Sequence, residues 1–88
     1  MVANKLFFSI IKFNDLRTFW KLKDYYFDEK GQKIFYFIRE FIGEYKALPR
    51  PETLVDEFNI DYIDTEETPD YLYEKVIKIY QKIIIEEA

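Results

Sequence analysis

The stretch KIFYFIREFIGEYKALPRPETLVDEF, residues 33–58, decides the fold class. Ile34, Ile38, Phe41 and Tyr45 fall on one row of a helix and Phe35 and Ile42 on the next, which makes a wide apolar stripe. The stripe predicts a long central helix. Pro49 predicts its end, because the residue before a proline is pushed out of α geometry. Pro51 suits the first turn of a following short helix, where its missing N–H is no loss, and Glu52 is favoured there by the helix dipole. Leu54, Val55 and Phe58 supply the apolar contacts of that short helix. The two prolines around Arg50 therefore read as a rigid corner. Gly43 is a poor helix former, at a cost of about 1 kcal/mol relative to Ala, so it either permits close approach by another helix or is simply tolerated, the first being the expectation.

Working outward, residues 5–13 place Leu6, Ile10 and Phe13 at helical spacing, with Phe7 and Ile11 on the adjoining row. Asn14 is a candidate N-cap for a second helix through Leu16, Phe19, Trp20 and Lys23, which Gly31 is expected to break. Residues 59–68 show no apolar stripe and read as a loop. Beyond them Thr68 is an N-cap candidate, Pro69 takes the first helical position and Asp70 complements the dipole. Leu72, Val76, Ile79 and Ile83 form one row of this last helix, and Tyr73, Ile77, Tyr80 and Ile84 a second. No strand-type alternation, repeat or low-complexity segment interrupts the pattern. The fold class is all-α: a compact orthogonal helical domain of about five helices, with residues 1–88 as a single unit.

At 88 residues the chain has room for one core, expected at a radius of gyration of about 12 Å. Nine Phe, eight Tyr and one Trp supply large buriable side chains, more than one small core encloses. The absence of Cys and His removes disulfides, thiolate nucleophiles, imidazole bases and nearly all zinc and iron sites. No apolar run approaches the roughly 18 to 20 residues of a membrane span, and the N-terminal run carries a charge and no cleavage pattern, so the expected setting is cytoplasmic and away from membranes.

The net charge of −4 is unevenly spread. Residues 1–50 carry an excess of four positive charges, while residues 52–70 hold eight acids and no base. A solvated surface is the ordinary reading of such a segment; the sharper one is a contact for a basic partner. Asp61, Asp64, Glu66 and Glu67 crowd together in it, but without the turn glycine and distal bidentate Glu of a calcium loop. The only glycines, Gly31 and Gly43, stand alone, which rules out a glycine-rich phosphate loop. No cofactor and no catalytic residue is expected. The segment from Lys12 to Phe27 interleaves Lys12, Arg17, Lys21 and Lys23 with Phe13, Phe19, Trp20, Tyr25 and Tyr26, as single-strand binders do. On a helix, however, Phe13, Leu16, Phe19 and Trp20 share a face that reads more simply as core, so direct nucleic-acid binding is expected to be weak or absent.

The order of elements resembles the N-terminal domain of DnaB-type replicative helicases, in particular the shorter phage-type versions. The positions that carry the resemblance are Tyr26 and Phe27, Lys33 before Ile34 and Phe35, Tyr45, Pro49, and Thr53 with Leu54. It covers residues 5–58 in some detail and 59–88 in outline. These are packing signatures, so the resemblance implies a non-catalytic role: the collar of a hexameric ring, contacting identical subunits and a primase or helicase loader. It also implies a longer helicase chain continuing past Ala88 into an ATPase domain. Tyr80, Ile83 and Ile84 are the candidate subunit contacts, because the apolar surface of the last helix exceeds what one neighbour covers. Asp64, Glu66 and Glu67 are the candidate contacts for a basic partner. The competing reading is a free-standing acidic phage or bacterial regulator that blocks a replication or DNA-binding protein through residues 52–70.

Overall fold

In the computed structural model the backbone is described for residues 2–87 and side-chain surroundings for residues 2–82. The first helix, α1 (Val2–Phe13), carries five consecutive buried residues: Leu6, Phe7, Phe8, Ser9 and Ile10. A helix buried on every side belongs in the middle of a domain. The central helix is therefore α1, and the helix read from residues 33–58 buries only one stripe. The remaining elements are α2 (Leu16–Lys21), one turn of 3-10 helix (Asp24–Tyr26), α3 (Glu29–Tyr45), α4 (Pro51–Phe58) and α5 (Pro69–Glu87). Among the described residues there is no strand, so the domain is all-α with five α-helices.

The last helix lies along the first, with α2 and α4 also against α1, and the 3-10 turn touches both α3 and α5. Ring contacts tie these elements together: Phe7 to Phe27 at 5.1 Å, Phe19 to Phe35 at 5.3 Å and Phe27 to Phe35 at 5.9 Å between centroids. Leu54 of α4 and Leu72 and Val76 of α5 complete the buried set. The Cα radius of gyration is 12.6 Å.

Several local expectations are corrected. The N-cap of α2 is Asp15, whose carboxylate accepts from the Thr18 amide at 3.1 Å and from its hydroxyl at 2.6 Å. The Thr18 hydroxyl holds the Asp15 carboxyl below the usual carboxylate range. Asn14 instead adopts a left-handed conformation at φ 51°, which closes α1. The second helix stops at Lys21, well short of Gly31. That glycine lies in the first turn of α3, capped by Asp28, whose carboxylate accepts from the Gly31 amide at 2.8 Å. A Cβ at position 31 would meet the Phe27 Cβ at 2.8 Å, so glycine is needed here for close approach. At Gly43 the opposite holds: a Cβ would meet nothing within 4 Å, so no helix approaches it.

The long helix ends at Tyr45 rather than at Pro49. Lys46 turns left-handed at φ 59° and its N–H returns to the Ile42 carbonyl at 2.8 Å, which terminates α3 before the proline exerts any constraint. Pro49 is buried in the corner, Pro51 opens α4, and Asn59 at φ 51° closes it. Residues 60–68 run without regular structure. Thr68 then opens α5, with its hydroxyl accepting from the Tyr71 amide at 3.4 Å.

Candidate interaction surfaces

The three candidate acids of the 60–68 segment turn toward α1. The Lys12 ammonium bonds Asp64 and Glu66, each at 3.1 Å, and also the Thr65 carbonyl at 3.0 Å. Lys5 pairs with Glu67. Between the two lysines, Ser9 donates to the Glu67 carbonyl at 2.7 Å and Phe8 meets Tyr62 edge-on at 5.4 Å. Lys5, Phe8, Ser9 and Lys12 fall at the i, i+3, i+4, i+7 spacing of one helix face, so α1 offers a ready-made stripe for this segment. The lysine lowers the Glu67 carboxyl below its ordinary value, and Asp64 and Glu66 raise the Lys12 ammonium above its own. Among the described residues, 61–67 form no carboxylate group able to hold a metal ion.

Unpaired acids lie on α4. Glu52 and Asp56, with Val55 and Tyr62, line a shallow groove, and among the described residues neither carboxylate has an ion-pair partner.

The second surface is on α5. Leu72 and Val76 are buried, whereas Ile79, on the same row, is 48% exposed. The apolar stripe thus leaves the core between Val76 and Ile79. Ile79 borders a recess of about 290 Å³ walled by Val2, Ala3, Tyr26, Phe27 and Val76, with Asp28 at its edge. Beside it Tyr80 packs on Tyr26 at 5.1 Å and on the exposed Tyr25 at 5.6 Å. Burial, together with Tyr73, Tyr25 and Tyr80, pushes the Tyr26 phenol up. Tyr80 therefore sits at the rim of an apolar patch that no described element covers. The side chains of Ile83 and Ile84 lie outside the described residues.

The basic and aromatic segment is not the core face that its spacing indicated. Phe19 is buried, but Trp20 is 55% exposed, and Phe13 and Tyr25 are also outside. On the six-residue α2, Trp20 meets the buried Phe19 edge-on at 5.4 Å and is otherwise left outside. Two of the segment's four cations are paired: Lys12 with Asp64 and Glu66, and Lys21 with Asp70 at 3.6 Å, the latter also lying over the Tyr73 ring at 5.3 Å.

Sequence reasoning missed Lys5 and Ser9 and read Lys12 only as part of the basic and aromatic segment. Their signal was present in the charge imbalance between the two halves of the chain, which anticipates an internal contact as readily as an external one. No helix among the described residues is long and apolar enough to cross a membrane. Comparison with protein-family models, with curated proteins and with solved structures finds no match to this chain.

Proposed function

We propose that this chain is a non-catalytic oligomerisation and protein-interaction domain of the kind that forms the collar of a DnaB-type hexameric replicative helicase. The observation that carries this reading is the apolar patch made by Ile79 and Tyr80 of α5 with Tyr25 of the 3-10 turn, which no described element covers. A contiguous apolar patch beside a recess, in a chain without Cys or His, is better suited to binding another protein than to chemistry. The resemblance of residues 5–58 to the helicase domain supports the same class of role. In this reading the protein works in the cytoplasm, α5 meets an identical subunit, and the acidic groove of Glu52 and Asp56 meets a primase or loader. Direct nucleic-acid binding stays weak, because Lys12 and Lys21 of the basic segment are already engaged by Asp64, Glu66 and Asp70.

The test is sedimentation velocity across a concentration series. The wild-type chain is expected to exceed its 10.9 kDa monomer mass. Ile79→Glu is expected to return it to the monomer with unchanged helical circular dichroism, since the residue is half outside the core. A wild-type chain that stays monomeric at every concentration overturns the reading.

The free-standing regulator is the second reading, favoured by the unpaired Glu52 and Asp56. The salt-bridged Asp64, Glu66 and Glu67 contribute less to it than their sequence suggests. Capture of a basic replication protein by a monomeric chain, abolished in high salt, would select it.

A further inference from the structure

One flank of α3 carries a run of rings that α4 covers only at its Phe37 end. Phe58 of α4 meets Phe37 edge-on at 5.4 Å, Phe37 meets Phe41 at 6.1 Å, and Phe41 meets Tyr45 at 4.5 Å. Tyr45, at the end of the run, is 60% exposed. Glu40 and Glu44 flank the rings on the neighbouring row, and the two rows enclose a shallow groove of about 250 Å³. Both carboxylates are exposed, and among the described residues neither has an ion-pair partner. Aromatic faces and free carboxylates both favour a cation.

A complementary face exists on this chain. On α5, Lys75 and Lys78 are exposed on one side of the half-exposed Ile79. Residues 75, 78 and 79 repeat the i, i+3, i+4 spacing of Phe37, Glu40 and Phe41, so ridges of one helix can enter the grooves of the other. Lys75 already lies 4.8 Å over the ring of Tyr71, the type of contact that Phe41 and Tyr45 offer.

We infer that the α3 face of one copy receives the α5 face of a second copy, with Ile79 against the Phe41 and Tyr45 rings and Lys75 and Lys78 against Glu40 and Glu44. This inference rests on the self-association reading and names the surface that α5 meets. The two faces are different patches, so the contact is head-to-tail, and repetition closes a ring or grows a filament instead of stopping at a dimer. A few side chains per side fall well below the roughly 20 to 30 of a standard interface, so each contact is weak and salt-sensitive.

The test uses two charge-reversed proteins. One carries Glu40→Lys with Glu44→Lys, the other Lys75→Glu with Lys78→Glu; all four positions are exposed, and circular dichroism checks that helicity is kept. Each variant alone sets like charges against like and is expected to sediment as a 10.9 kDa monomer where the wild type associates. Mixed in equal amounts, each variant's two faces match the other's, and association is expected to return. Wild-type association that neither variant disturbs, or a mixture that stays monomeric, overturns the α3-to-α5 contact and leaves the oligomerisation reading standing. A monomeric wild type overturns both.

Discussion

Two glycines in one helix give opposite predictions for the same substitution. At Gly43 an added methyl group meets nothing within 4 Å and the backbone is in ordinary helical geometry, so Gly43→Ala gains helix propensity at no steric cost. The expected gain is about 0.5–1 kcal/mol, or a few degrees in Tm for a domain of this size. At Gly31 the same methyl group meets the Phe27 Cβ at 2.8 Å, an atom fixed to the backbone. Gly31→Ala is expected to lower Tm, because Phe27 anchors the ring contacts with Phe7 and Phe35. Thermal unfolding of both variants checks the pair, and equal shifts would show that propensity alone governs α3. Spacing alone places Gly31 at a helix break and Gly43 inside a helix; what distinguishes them in the fold is that Phe27, just before the Asp28 cap, folds over the first turn of α3 at Gly31 and nothing lies over Gly43.

At the scale of elements, the clasp between α1 and residues 60–68 has a defined pH range. Glu67, depressed by Lys5, contributes stability that is present above its unfolded value of about 4.3 and is lost as pH falls through its lower folded value. Lys12, raised by Asp64 and Glu66, contributes stability that is present below about 10.4 and is lost as pH rises through its higher folded value. The clasp is therefore closed across neutral pH. Amide shifts of Thr65 and Glu67 followed by NMR are expected to titrate with a midpoint below about 4.3 in the wild type and to return to about 4.3 in Lys5→Met. An ordinary midpoint in the wild type would mean that the pair is not formed in solution. Amphipathic elements were legible from their spacing: the stripe of α3, the proline at the start of α4 and the Thr68-Pro69 opening of α5. The burial of α1 was not, because five buried residues in a row have no periodicity, and periodicity is what marks a helix in sequence. The clasp joins residues more than fifty positions apart and leaves no local mark.

For the molecule as a whole, the expected self-association follows from where the apolar surface ends up. Among the described residues fourteen hydrophobic side chains form the buried cluster, yet Trp20, Tyr25, Tyr45 and Ile79 remain outside. The surplus of rings was visible in composition, since eighteen aromatic side chains exceed what a small core encloses. Their division between inside and outside was not, because it depends on how α2 sits on the core and on α5 carrying its stripe past the core. Of the candidate contacts, Tyr80 lies at the patch, while Asp64, Glu66 and Glu67 are engaged within the chain.

The pairing of the first helix with the last has a consequence for the order of folding. Since α1 is surrounded, and α5 forms one of its walls, a chain emerging from the ribosome cannot bury Leu6, Phe7 and Phe8 until α5 has been made. Until then its most apolar helix is exposed to chaperones and to other nascent chains. A fragment ending at Thr68 is therefore expected to lack a cooperative thermal transition, and adding α5 as a separate peptide should restore one. A cooperative transition in the fragment alone would show that α1 is held without its last neighbour.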